Sequence, residues 1–190
     1  MKNNYKIHTI ESAPEASKPI IEATKKKVGM LPNLMATMSE SPVMIESYLT
    51  LMGLFDKTNL SETERQIILM TNNRLNGCTY CMATHTAVSK FAKVDDDVIH
   101  ALRTGSPIKD AKLEALRQFV IIINEERGWA NEKQIEDFLE AGYTKETVLE
   151  VIVGTSLKVL SNYSTHIVDP DLDKVFKPYA WSEETASVRV

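Results

Sequence analysis

Residues 60–85 of the chain read LSETERQIILMTNNRLNGCTYCMATH. Ser61 can cap a helix and Glu64 can reach back to complete a capping box, so a helix is expected to begin here. It should end near Asn76-Gly77, because this pair suits the left-handed conformation found at helix ends. A second helix is predicted to open at Cys78. The stretch therefore predicts two consecutive helices, with a Cys-X-X-Cys motif at the N-terminus of the second.

Helical patterns continue on both sides of this stretch. Seven glycines and seven prolines separate apolar-periodic segments and lack the even spacing of a β-sandwich. Further helices are predicted at residues 15–28, 42–55, 95–104, 110–127, 132–141 and 144–168. The last has only a partial start signal, since Thr147 stands where a capping box needs Glu or Gln, and its β-branched residues also permit a strand. The predicted fold class is all-α.

Length and composition are those of one globular domain. The chain has 190 residues, of which 43% are hydrophobic and 25% charged, and its formal net charge is −4. We predict a single compact helical domain over residues 1–190, with irregular arms at 1–14 and 170–190. Phe176 or Trp181 should anchor the second arm. The negative charge offers no broad attraction for nucleic acid.

No segment predicts a leader or a membrane span. The first residues, MKNNYKIHTIESAPEASK, lack the apolar core of a signal peptide, and no stretch is long enough to cross a bilayer. A cytoplasmic location is therefore expected, without a membrane partner. Two cysteines in a reducing compartment ordinarily remain thiols, so a closely spaced pair indicates redox chemistry or metal binding.

Cys78, Cys81 and His85 are spaced by three and four residues, which places them on one helix face. A helix N-terminus stabilises thiolate, an effect that by itself favours Cys78 as the more acidic thiol. His85 lies four residues after Cys81 and can take up the thiol proton and later return one. A hydroperoxide would convert one cysteine to sulfenic acid, and the second would then form a disulfide with it.

Two other interpretations of the cysteine pair remain open. The two cysteines and a histidine are acceptable zinc ligands, although a fourth ligand is hard to find because His8, His100 and His166 stand alone. The cysteines can also simply pack in the core as small hydrophobic residues.

Residues 60–69 and 76–85, which contain the capping box and the Cys-X-X-Cys motif, closely resemble the signature of the AhpD-like alkylhydroperoxidases in the carboxymuconolactone decarboxylase family. Looser similarity runs from residues 31–33 to 162–163 and 169–173. The resemblance implies an AhpD-like all-helical fold and peroxide reduction by a cysteine pair without metal or nicotinamide. It also implies regeneration by a thiol or dithiol protein, and a homo-oligomer that is a trimer or a trimer of dimers.

The resemblance assigns the peroxide-attacking thiol to Cys81, the resolving thiol to Cys78 and a place in the proton relay to His85. One residue departs from the family pattern, because Gln66 stands where the relay usually has a glutamate. An amide cannot carry the proton, although it can orient a water molecule or the imidazole. Glu64 is the other candidate, but it faces a different side of the helix and is more simply explained as a cap.

These features together favour a thiol-dependent peroxidase, an oxidoreductase of antioxidant defence that needs no cofactor beyond its redox-active disulfide and an external dithiol. A protein-disulfide reductase or redox adaptor is the first alternative, because the same thiols would serve it. A carboxymuconolactone-type decarboxylase and a non-catalytic, zinc-stabilised helical protein follow in that order.

Overall fold

The computed structural model describes residues 4–183, which contain α-helices, two short 3₁₀ helices and no β-strand. The all-α prediction is therefore confirmed. The α-helices are α1 (Lys18–Val28), α2 (Asn33–Met38), α3 (Pro42–Phe55), α4 (Glu62–Leu75), α5 (Thr79–Phe91), α6 (Asp96–Thr104), α7 (Ala111–Glu125), α8 (Glu132–Glu140) and α9 (Lys145–Val168). Within the described range, none of these helices is both long and apolar enough to span a membrane.

Helix α4 lies at the centre of the fold and packs against α5, α7 and α9. Its residues 66–73 are all buried. Gly154 allows α9 to come close, since a Cβ atom there would lie 2.6 Å from Ile68 and 2.8 Å from Phe55. The close packing brings the buried face of α9 towards the start of α5.

Most helix boundaries follow the predicted caps. Ser61 and Glu64 form the expected capping box at α4, and Gly105 ends α6 in the left-handed conformation. The start signal of α9 is stronger than the sequence suggested, because Thr144 and Thr147 form a full capping box. The hydroxyl of Thr147 accepts the hydrogen bond from the N-cap backbone N–H, a bond that a carboxylate or amide side chain usually accepts.

Two helical segments differ from the sequence prediction. The six-residue helix α2 is not among the predicted helices, because so short a segment shows too little periodicity. The helix predicted at 15–28 begins as a 3₁₀ helix, Glu15–Ser17, before α1 starts. These differences leave the predicted order of the remaining helices unchanged.

The C-terminal arm is more regular than expected. It contains the 3₁₀ helix Lys174–Tyr179, so the prediction of an irregular segment from 170 is wrong there, while 4–14 is free of helix as predicted. Residues 1–3 and 184–190 of the predicted arms lie outside the described residues. Trp181 is the anchor, with 6% of its surface exposed, and its indole N–H donates to the Arg103 carbonyl at 2.9 Å. Phe176 is only half-buried.

This arm also helps to build the wall of the site described below. Asp173 is buried and accepts a hydrogen bond from the Tyr80 hydroxyl at 2.6 Å. Its carboxylate also accepts the backbone N–H of Asn33 at 3.1 Å, at the start of α2. Tyr80, which lies between the two cysteines in sequence, is thus held in place by both the arm and α2.

Candidate active site

The two cysteines lie at the start of α5. Gly77 has a φ of 64°, and this left-handed conformation lets the chain turn sharply out of α4. Cys78 is the N-cap of α5, and its Sγ accepts the backbone N–H of Cys81 at 3.4 Å. Sulfur thereby occupies the place that a serine or asparagine oxygen takes in common helix caps. The local geometry holds Cys81 in the first turn, facing the same interior as Cys78.

Both cysteines are free thiols and buried, with exposed fractions of 0% for Cys78 and 3% for Cys81. The Sγ of Cys81 lies 3.5 Å from the Thr165 hydroxyl on α9. Burial normally keeps a thiol protonated. The ionisation of these thiols therefore depends on the groups around them.

The surroundings separate the two thiols in acidity. Burial raises the pKa of Cys81, but the hydrogen bond from the Cys78 thiol and the positive charge of Lys158 outweigh it. Further hydrogen bonds from Thr165 and Asn162 bring the pKa of Cys81 down to about 6. The pKa of Cys78 is raised well above the usual range, because its thiol donates to Cys81 and is itself buried. Cys81 is thus the more acidic thiol of the pair, whereas the effect of the helix N-terminus alone favours Cys78.

His85 lies one turn after Cys81, and both of its ring nitrogens have protein partners. Nδ1 lies 2.9 Å from the amide oxygen of Gln66. Because that oxygen can only accept, Nδ1 carries the proton. The amide nitrogen of Gln66 in turn donates to a Glu62 carboxylate oxygen at 2.8 Å, which fixes the orientation of the amide. Gln66 therefore orients the imidazole, one of the two roles open to it from sequence.

Lys158 of α9 is the second partner of His85. Its Nζ lies 3.1 Å from Nε2 of the imidazole, and only 1% of the residue is exposed. Burial lowers the pKa of His85 well below its usual value, and the charge of Lys158 lowers it further. Burial also lowers the pKa of Lys158, whereas negative charge on Cys81 opposes this shift. The imidazole is consequently neutral, and it accepts a hydrogen bond from Lys158.

No motif marks Lys158 or Glu62 in the sequence, although the spacing of polar residues on α9 carries a signal. The buried residues of this long helix include a polar series at steps of three and four that can be read as one inward face. That series is Thr155, Lys158, Ser161, Asn162 and Thr165. A polar stripe on an otherwise apolar buried helix is unusual, and it identifies the face that meets the cysteines.

A small, mainly apolar cavity opens beside Cys81, with a volume of about 50 Å³. Its lining comes from α2, α3, α5 and α9. The lining residues are Pro32, Leu34, Met35, Tyr48, Tyr80, Cys81, Thr84, His85, Lys158 and Ser161. Burial and the negative charge of Cys81 raise the pKa of the Tyr48 phenol, which stays protonated. The cavity thus brings the Cys81 sulfur, the His85 imidazole and the Lys158 amino group together in apolar surroundings.

The remaining sequence candidates lie away from this cavity. Glu64 accepts hydrogen bonds from the backbone and hydroxyl of Ser61 at 2.8 and 2.7 Å, so it acts as a helix cap. Between residues 4 and 183, no three His, Cys, Asp or Glu side chains group into a potential metal site. The nitrogens of His85 face Gln66 and Lys158, an arrangement that does not fit the zinc interpretation.

One segment of the chain resembles a known sequence family. Residues 46–119 match the sequence profile of the carboxymuconolactone decarboxylase family, a segment that contains both cysteines and His85. No curated protein matches the chain significantly.

Solved structures match the fold over nearly the whole chain. One is an uncharacterised peroxidase-related protein with an alkylhydroperoxidase AhpD core from Ralstonia eutropha JMP134, with a TM-score of 0.81, 20% identity, and coverage of 93% of this chain and 95% of the other. A peroxidase-related protein from Silicibacter sp. TM1040 has a TM-score of 0.77 at 16% identity, covering 92% and 93%. A cysteine-to-alanine variant of the debrominase Bmp8, in complex with 2,3,4-tribromopyrrole, has a TM-score of 0.77 at 15% identity, covering 94% and 96%.

The shared fold and the profile match define the class, an AhpD-like helical protein. Its fold is the AhpD-like all-α fold, and its central segment is similar in sequence to the carboxymuconolactone decarboxylase family.

Proposed function

We propose that this protein is a thiol-dependent peroxidase that reduces hydroperoxides through Cys78 and Cys81. The observation that carries the proposal is the position of the Cys81 thiol, which lines a cavity together with His85 and Lys158, in surroundings that lower its pKa. Thiolate is the form that attacks peroxides. An activated thiol next to proton-carrying groups is the arrangement that such a reaction needs.

In the proposed reaction, the Cys81 thiolate attacks the outer oxygen of a hydroperoxide. The O–O bond breaks, Cys81 becomes a sulfenic acid, and an alcohol leaves after protonation of its oxygen. Cys78 then attacks the Cys81 sulfur, water leaves, and a disulfide forms. Cys78 is well placed for this step, since its Sγ already accepts the backbone N–H of Cys81.

The cavity admits a small substrate to the closed site. A folded protein, whether a substrate disulfide or the reductant proposed below, reaches Cys78 or Cys81 only if the site opens, because their exposed fractions are 0% and 3%. A hydroperoxide can enter a cavity of about 50 Å³ at least with its reacting end. The protein-disulfide reductase remains the alternative that uses the same thiols.

Regeneration requires an external thiol or dithiol, which we propose to be a reductant protein of the cytoplasm. Reduction by a dithiol transfers two electrons to the Cys78–Cys81 disulfide by thiol–disulfide exchange. The proposed cycle uses no metal or nicotinamide bound to this chain.

We also propose that the chain forms a homo-oligomer, a trimer or a trimer of dimers. Support comes from α9, which exposes large apolar side chains at helical spacing, a pattern common at interfaces. They are Leu149, Ile152, Tyr163 and Ile167, between 43% and 64% exposed. Light scattering at micromolar concentration tests this, and a monomer would contradict it.

The direct test counts free thiols in reduced, chelator-treated protein before and after one equivalent of cumene hydroperoxide. We expect rapid loss of both thiols without intermolecular crosslinks. The variant Cys81→Ser should lose hydroperoxide turnover, whereas Ser61→Ala, at a remote helix cap, should keep it. Survival of both thiols in the wild-type protein would rule out the peroxidase.

A second candidate follows from the debrominase Bmp8, which shares the fold. The Cys78–Cys81 pair could supply the two electrons that replace a carbon-bound bromine by hydrogen, with bromide and a disulfide as products. The aromatic rings of Tyr48 and Tyr80 in the cavity lining suit a flat apolar substrate. Bromide release from 2,3,4-tribromopyrrole by the reduced protein, and its absence in Cys81→Ser, would distinguish this activity.

A further inference from the structure

Lys158 is a buried basic residue that pairs with no carboxylate of residues 4–183. It lies in the middle of α9 with 1% of its surface exposed. Among residues 4–183, its hydrogen-bond partner is the imidazole of His85, and no salt bridge links it to Asp or Glu. A buried ammonium group is costly unless a negative charge balances it. Cys81 lines the same cavity, and as a thiolate it would supply such a negative charge.

The neighbouring histidine cannot easily supply a proton to this cavity. The amide of Gln66 holds the Nδ1 proton of His85 on the far side of the ring. Nε2, the nitrogen that faces α9, accepts from Lys158. The imidazole therefore orients the ammonium group towards the site and has no proton of its own to offer there.

We propose that Lys158 is the acid of this site, and that its ammonium group protonates the oxygen that leaves when Cys81 attacks a hydroperoxide. The inference rests on the proposed peroxidase function. In the first step the thiolate takes the outer oxygen, the O–O bond breaks, and the leaving alkoxide receives one proton from Lys158 to become an alcohol. The lysine is left as a neutral amine, and its positive charge disappears together with the negative charge of the thiolate.

The second step keeps this balance. Cys78 gives up its thiol proton and attacks the Cys81 sulfenic acid, and the departing hydroxide takes that proton to leave as water. The disulfide form then contains no buried anion, so a neutral Lys158 fits it better than an ammonium group. Reduction by an external dithiol returns two electrons and two protons, one to Cys78 and one to Lys158, while Cys81 becomes a thiolate again.

The proton balance gives a test in the wild-type protein. In the proposed cycle, a thiolate, a thiol and an ammonium group react with a hydroperoxide. The products are a disulfide, an amine, an alcohol and water, and no proton is exchanged with solvent. If Lys158 stays charged, one proton must come from solvent for each disulfide formed. We propose to measure this with a pH indicator in weak buffer at neutral pH, using cumene hydroperoxide and checking the thiolate by its ultraviolet absorbance.

The variant Lys158→Arg provides the matched comparison, because guanidinium keeps the charge but does not release its proton. We expect no net proton uptake in the wild-type protein and one proton per disulfide in the variant, with a slower reaction. Alkylation of the variant by iodoacetamide should stay close to the wild-type rate, since it needs the thiolate but no acid.

Three results would overturn the role of Lys158. They are uptake of one proton by the wild-type protein, absence of the thiolate signal at neutral pH, or a hydroperoxide rate in Lys158→Arg that equals the wild-type rate. A fourth result, no thiol loss with hydroperoxide in the wild-type protein, would refute the peroxidase function itself. If the variant does not fold, the wild-type proton count decides alone.

Discussion

Helices α4 and α5 begin with the same cap geometry but serve different purposes. At α4, the Ser61 hydroxyl accepts the backbone N–H of Glu64 at 3.3 Å. At α5, the Cys78 sulfur accepts the backbone N–H of Cys81 at 3.4 Å. In both cases the N-cap side chain bonds the N–H of the third helical residue. The difference lies in the side chain of that third residue and in its surroundings.

The side chain of the third residue of α4 takes part in the helix cap, whereas the side chain of the third residue of α5 remains available for chemistry. The Glu64 carboxylate returns to the Ser61 backbone N–H at 2.8 Å, at the protein surface. The Cys81 side chain points instead into a buried cavity that also contains Lys158. The same local geometry thus stabilises the start of α4 at the solvent-exposed surface. At the start of α5, beside the buried Lys158, it forms part of a candidate redox centre.

The largest expected effect comes from Cys78→Ser. Serine can keep the helix cap, because its hydroxyl accepts the same N–H, but it cannot resolve a sulfenic acid. We expect turnover to stop after about one equivalent of hydroperoxide, followed by over-oxidation of Cys81. Mass spectrometry should find sulfinic acid in the variant and a disulfide in the wild-type protein. Sustained turnover of the variant would show that Cys78 is only a cap.

Helix starts and stops were predictable because they depend on local chemistry. The capping box at Ser61 and the glycine after α6 are set by residues within one turn of the helix end. The cysteines and His85 were also within reach of sequence, since one short helix carries them. The pairing of Lys158 with His85 was not, because 73 positions separate the two residues. The hydrogen bond between Tyr80 and Asp173 could not be predicted for the same reason, because 93 positions separate the two residues.

A pH titration sharpens the comparison at α5. With a pKa of about 6, Cys81 should be mostly thiolate above about pH 7, and its alkylation rate should fall about tenfold for each pH unit below 6. In urea, the unfolded protein should instead titrate near the ordinary thiol value of about 8.5. Iodoacetamide rates, with mass spectrometry to locate the label on Cys81, measure both. Equal midpoints in the folded and unfolded protein would show that the surroundings of α5 do not activate Cys81.

Gln66 links the two helices, and its replacement by methionine tests that link. Gln66→Met removes the acceptor of the His85 Nδ1 proton and leaves a buried N–H without a partner, at a cost of about 1–3 kcal/mol of stability. The proton is then free to move to Nε2, which would disturb the bond from Lys158. Nitrogen NMR of the imidazole reports the tautomer, and chemical unfolding reports the stability.

The matched control for this link is Glu62→Gln. Its side chain can still accept from the Gln66 amide through an oxygen, so the Nδ1 tautomer should persist. If both variants show the wild-type tautomer, Gln66 does not fix the imidazole.

The smallest effect is expected from Ser61→Ala at the start of α4. The variant loses the hydroxyl that accepts the Glu64 backbone N–H, and the free energy of unfolding should fall by about 1 kcal/mol. Because Ser61 bonds to Glu64 at the surface and not to the Cys81 cavity, the alkylation rate of Cys81 should not change. Chemical unfolding and iodoacetamide kinetics on the same preparation test both statements. A changed alkylation rate would mean that the cap of α4 reaches the cysteines through Gln66, and that the two helix starts are not independent.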